Sequence, residues 1–81
     1  MRLDKWLYYC RIYQSRCKSK NACLEGNILV NKIKKYNSTY MICKNDIITL
    51  IKNQKVKIIK VLNLPKNRIS PKKVYNYYEI I

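Results

Sequence analysis

The spacing of apolar residues changes once along this chain, at Gly26, and that change limits what it can fold into. Before it, Leu3, Trp6, Leu7 and Cys10 recur at helical spacing. At about 100° per residue they fill an arc of roughly 100°, the width of a core-facing stripe. Arg2 and Lys5 border the stripe on one side and Arg11 on the other. Ser15 suits a helix N-cap, and Ser19, Ala22 and Cys23 form a small-residue face on a second helix that Gly26 ends. After Gly26 the period is two, with Ile28 and Val30 alternating against Asn27, Leu29 and Asn31, which is a strand. The pattern predicts an α+β domain: two short N-terminal helices packed on a small, mainly antiparallel sheet.

Turn chemistry divides the rest of the chain. Asn31-Lys32 is a hairpin tip, with Lys34-Lys35-Tyr36 as a short return and residues 37–43 looping back toward the sheet. Lys44-Asn45-Asp46 turns the chain into a β-branched strand at residues 47–50. Asn53-Gln54 turns it again into residues 56–62, where Lys55 and Lys57 alternate with Val56 and Ile58. Pro65 and Pro71 bracket a basic loop holding Lys66 and Arg68, and Tyr75-Asn76-Tyr77-Tyr78 reads as an edge strand or extended tail. At 81 residues this is one domain, with a core in residues 1–62 and a basic loop and Tyr-rich segment in residues 63–81.

Charge narrows the function. The chain holds 18 Lys plus Arg against 4 Asp plus Glu, with no His, a net charge of +14. With only Asp4, Glu25, Asp46 and Glu79 as carboxylates and no imidazole, the usual acid–base and nucleophile–base pairs cannot be assembled in one chain. No enzymatic activity, small-molecule substrate or cofactor is expected. Cys10, Cys17, Cys23 and Cys43 contain no Cys-x-x-Cys pair and no His to complete a zinc set. They read as reduced core residues, which suits a reducing compartment. No apolar run is long enough to span a membrane, and Asp4 and Lys5 interrupt any signal peptide, so a soluble protein is expected. A-T-rich coding sequence would raise the Lys count by itself. It does not account for the scarcity of acids, nor for three of the four Arg falling in the first sixteen residues. A guanidinium donates a planar fork to phosphate that an ammonium cannot imitate, so a binding surface is expected at the N-terminal end.

The series Arg2-Leu3-Asp4-Lys5-Trp6-Leu7, Arg11, Ser15-Arg16 and Gly26-Asn27-Ile28-Leu29-Val30-Asn31 resembles the S4 RNA-binding domain family. Length, an opening at residue 1 and the Tyr-rich end are most similar to its stand-alone subfamily, that of the fifteen-kilodalton heat-shock protein and its shorter relative RqcP. The resemblance implies a ribosome-associated protein of nascent-chain quality control that binds ribosomal RNA and tRNA on a stalled or separated large ribosomal subunit. Two departures stand out: Asn31-Lys32 where the family usually has Asn-Gly, and Asn45 where a Gly commonly precedes the Asp. Both leave the turn type open.

The candidate RNA contacts are Arg2, Lys5, Arg11, Arg16 and Lys20 on the helical pair, and Lys32, Lys34 and Lys35 at or after the hairpin tip. Arg11 and Arg16 are expected as the bidentate pair. The plainer alternative for all eight is a solvated, solubilising face. Trp6 is read as core, Asp4 as a helix-start carboxylate or an orienting partner for a nearby Arg rather than a catalyst, and Tyr8 and Tyr9 as half-exposed residues that could stack on bases. So high a like charge argues for a monomer when free. The compartment is expected to be cytoplasm, or the interior of an organelle with bacterial-type ribosomes. Two rival readings are a detached module guiding an RNA-modifying enzyme such as a pseudouridine synthase, and a peripheral protein on an anionic membrane. The absence of a long helix with a broad apolar face weighs against the membrane reading.

Overall fold

The computed structural model describes all 81 residues. Helix α1 (Leu3–Tyr9) and helix α2 (Arg16–Leu24) precede strands β1 (Ile28–Val30), β2 (Ile33–Lys34), β3 (Ile47–Lys52) and β4 (Lys55–Val61). A 3-10 helix (Pro71–Asn76) and strand β5 (Tyr78–Ile80) complete the chain. The five strands form one antiparallel sheet in the order β2-β1-β3-β4-β5. This is the α+β architecture expected from the period change at Gly26.

Both helix ends have the same chemistry with different residues. At the end of α2, Gly26 N donates to Cys23 O and Asn27 N to Ala22 O, the two hydrogen bonds of a Schellman cap, with Gly26 at φ 76°. At the end of α1, Arg11 N donates to Tyr8 O and Ile12 N to Leu7 O, and here a side-chain-bearing residue takes the left-handed position, Arg11 at φ 61°. At the start of α2 the Ser15 hydroxyl accepts from Lys18 N at 3.1 Å, the expected N-cap.

Leu3, Trp6, Leu7, Cys10, Ala22 and Cys23 pack against Ile28, Val30, Ile48, Leu50, Ile59 and Val61 from one face of the sheet. Non-directional burial of this apolar surface is the main stabilising contribution. Trp6 is fully buried, donates its indole Nε1 to Asn63 O at 3.0 Å and meets Tyr78 edge-on, so it is core as expected. The turns at Asn31-Lys32 and Asn53-Gln54 have both central residues at positive φ, and Asn45 stands at φ 73°. Side-chain-bearing residues thus take the left-handed turn positions that glycine commonly fills. Asn31 adds bonds a glycine could not make: its Oδ1 accepts from Ile47 N at 3.0 Å and its Nδ2 donates to Asp46 Oδ1 at 3.3 Å.

The sequence left the facing of β4 open: register pairs Ile59 with Ile48 and Lys57 with Leu50, so Ile59 and Val61 enter the core while Val56 and Ile58 are exposed on the uncovered face. Other expectations are corrected. Tyr75 is not in a strand but in the 3-10 helix, 71% exposed, because Pro71 at the first helical position favours a helical turn. Cys17 and Cys43 are exposed, and only Cys10 and Cys23 are core residues. The core also reaches past residue 62, since the Pro65 to Pro71 loop contributes buried Ile69.

Candidate nucleic-acid interface

Asp4 organises the N-terminal face. Its side chain is 3% exposed, while those of Arg2 and Arg16 are 44% and 45% exposed. Arg2 grips it in a fork, Nε to Oδ1 at 3.1 Å and Nη2 to Oδ2 at 2.9 Å, and Arg16 Nη2 stands 3.7 Å from Oδ2. Lys5 N also donates to Oδ1, at 2.8 Å. One carboxylate thus holds two guanidiniums, one just before α1 and one at the start of α2, and leaves each partly open to solvent. A buried anion paired this way orients its cations more than it neutralises them, because the cluster keeps a net positive charge.

Two further features hold the cluster. The fully buried Ser19 hydroxyl donates to Asp4 O at 2.8 Å, fixing α2 against the first turn of α1. The loop after β2 meets that turn from the other side: Leu3 N donates to Tyr40 O and Asp4 N to Ser38 O, satisfying amide donors that a helix start leaves open. An isolated antiparallel bridge joins Arg2 to Met41. Lys35 Nζ lies 4.2 Å from the centre of the Tyr40 ring, so this lysine stands beside the start of α1.

The eight candidate residues do not form one array. Arg2 and Arg16 converge on Asp4, and Lys20 follows Arg16 by one turn of α2. Lys5 is partly buried with its Nζ 5.3 Å from the centre of the Tyr9 ring. Lys34 pairs with Leu29 in register and so points to the sheet face that the helices leave uncovered, and Lys32 sits exposed at the hairpin tip. Arg11 does not join Arg16. Its Nε donates to Ile69 O at 2.6 Å, and it lines a separate hollow with Lys52, Lys55 and Lys57. The reason is backbone geometry, since the left-handed turn at Arg11 carries its side chain off the helix flank.

The aromatic candidates are engaged internally. Arg68 lies over the Tyr8 ring at 4.3 Å and donates to Tyr8 O, while Ile69 N donates to Tyr9 O. The basic loop between the prolines is therefore pinned along α1. Ile69 is the signal the sequence offered for this, a β-branched apolar residue within an otherwise polar loop.

No group of His, Cys, Asp or Glu side chains is placed to hold a metal ion, and no helix is long and apolar enough to cross a membrane. Burial pushes the Cys10 thiol up to about 12 and the Cys23 thiol up to about 11, so neither is a nucleophile near neutrality.

Fold and surface define a small basic α+β module in which the starts of two short helices present carboxylate-oriented guanidiniums. Heat shock protein 15 of Vibrio cholerae, solved as a trimeric structure, has the same fold: the TM-score is 0.93, over 100% of this chain and 81% of that one, at 23% identity. That likeness shows the fold, the one implied by the S4 resemblance of the sequence. No protein-family model matches the sequence, and no curated protein matches it either.

Proposed function

We propose that this protein binds structured RNA without catalysing a reaction, and that its targets are large-subunit ribosomal RNA and tRNA on stalled or separated large ribosomal subunits. In this role it stabilises a tRNA-bound state during nascent-chain quality control, as the S4 stand-alone subfamily containing RqcP does by resemblance. The observation that carries the reading is the Arg2–Asp4–Arg16 cluster, two half-exposed guanidiniums held by one buried carboxylate on a chain of net charge +14. Lys5, Lys20 and Lys35 add phosphate contacts around it, and Lys32, Lys34 and Arg11 reach the RNA away from it. A-form RNA displays its backbone and 2′-hydroxyls across a wide minor groove, so such a surface reads shape more than sequence. The fold shared with heat shock protein 15 supports the reading. A cytoplasmic or organellar location follows from the partner, and like charge keeps the free protein monomeric.

The test is binding to bulk tRNA and to purified large subunits across a salt series. Neutralising about five to eight phosphates gives a slope of log affinity against log salt of roughly −4 to −7. Changing Arg2 and Arg16 together to Gln weakens binding by roughly 2 to 4 kcal/mol. A slope near zero, or a double variant that binds as well as the parent, overturns the proposal.

A further inference from the structure

The hairpin of β3 and β4 carries an arrangement of charge that the fold does not explain. Register places Lys52 directly opposite Lys55, and Lys57 projects from the same face two residues further on. Like charges facing one another across a ladder are destabilising. No carboxylate relieves them: both side-chain ion pairs in the molecule belong to Asp4. The two-residue Asn53-Gln54 turn, with both residues left-handed, fixes this register.

Arg11 faces the same place from the helical side. It occupies the left-handed cap position that Gly26 fills at the other helix end, a conformation that costs a side-chain-bearing residue. Its Nε is spent on Ile69 O, and its two Nη groups make no hydrogen bond within the chain. Arg11, Lys52, Lys55 and Lys57 together line an open hollow of about 350 Å³, which Tyr13 and Tyr78 also line and whose lining contains no acidic residue. Lys52 Nζ lies 5.0 Å from the centre of the Tyr13 ring, which steadies one wall.

We infer that this hollow is a second RNA-backbone site, separate from the Arg2–Asp4–Arg16 cluster, in which the Arg11 guanidinium and the Lys52, Lys55 and Lys57 ammoniums grip consecutive phosphates of a polynucleotide. The inference rests on the RNA-binding reading and adds to it a second grip on the same ligand. Phosphate is the anion that suits it, because Lys57 stands two residues along β4 from the facing Lys52 and Lys55 while Arg11 lines the same hollow, so several cations share one site, and the backbone of RNA repeats its charge along its length.

The experiment compares the full chain with two variants, Lys52→Gln/Lys55→Gln/Lys57→Gln and Arg2→Gln/Arg16→Gln, on bulk tRNA across a salt series. The three lysines are exposed, so circular dichroism should match the parent. The lysine variant is expected to flatten the salt slope by about 2 to 3 and to bind roughly 10- to 100-fold more weakly at 0.15 M salt. The arginine variant, where binding persists, is expected to keep the salt dependence that the lysines supply. An unchanged slope and affinity in the lysine variant, with binding lost in the arginine variant, overturns the second site and leaves RNA binding standing. A parent protein with no salt-dependent tRNA binding overturns both. Loss of binding to phosphatidylserine vesicles with tRNA binding unaltered would assign the hollow to lipid and likewise overturn it.

Discussion

Ser19 Oγ donates to the backbone oxygen of Asp4 over 2.8 Å, while the Asp4 carboxylate holds Arg2 and Arg16. The packing of α2 on α1 and the aim of the two guanidiniums therefore depend on one residue. Replacing Ser19 by Ala removes the bond between the helices without adding bulk. We expect a loss of about 1 to 2 kcal/mol in urea unfolding, and weaker tRNA binding by the remaining folded protein. Wild-type stability in this variant would show that the small-residue face alone sets the helix packing.

Asp4→Asn separates orientation from charge. The substitution raises the net charge of the chain, so a surface that binds RNA by charge alone would bind more tightly. We expect the opposite, about tenfold weaker binding, because two guanidiniums without their common carboxylate repel each other and lose their fixed aim. Stability should fall by about 1 to 2 kcal/mol, discounted from a fully buried pair because both arginines are half in solvent. Tighter binding by Asp4→Asn would reject the orienting role.

The two helix ends make a matched pair. Gly26→Ala places a Cβ at φ 76° and 2.9 Å from a Tyr36 ring atom. The ring is exposed and can move, so the backbone sets the cost, about 1 to 2 kcal/mol. Arg11→Gly relaxes the equivalent position at φ 61° but removes the bond to Ile69 O, and the two effects leave stability within about 1 kcal/mol of the parent. Its tRNA salt slope should flatten by about 1. Thermal melts and binding isotherms of the two variants check both halves.

Buried thiols give the protein a defined alkaline limit. Burial raises Cys10 from 9.0 to about 12 and Cys23 from 9.0 to about 11, the latter with a smaller contribution from the Asp4 charge, and it raises Tyr13 and Tyr78 in the same direction. The folded state holds protons that the unfolded chain releases. The resulting stability is fully present below about pH 9 and is lost as pH rises toward 12. Melting temperature should therefore fall above pH 9, and at neutral pH iodoacetamide should label Cys17 and Cys43 but spare Cys10 and Cys23 until denaturant is added. Rapid labelling of all four thiols under native conditions would contradict the packing.

Local pattern carried much of this protein. The stripe of Leu3, Trp6, Leu7 and Cys10, the Ser15 cap and the stop at Gly26 are each settled within a turn or two of chain, and the structure contains them as read. Asp4 as the partner of a nearby Arg was legible for the same reason, since Arg2 lies two residues away. Even the facing of Lys52 and Lys55 follows from a two-residue turn at Asn53-Gln54, although nothing in the sequence says that Arg11 stands over them.

What the chain alone left open concerns groups far apart in sequence. Whether Val56 and Ile58 or Ile59 and Val61 enter the core depends on which sheet face the helices cover, and the alternation is nearly symmetric there. The Pro65 to Pro71 segment reads only as a basic loop, because Ile69 shows its purpose only when α1 is beside it. The division of the cations into the Asp4 cluster and the Lys52 hollow is likewise tertiary. A left-handed residue at the end of a short helix redirects Arg11 by an angle that apolar periodicity does not encode, because periodicity reports which residues avoid water and not where a charged side chain in water points.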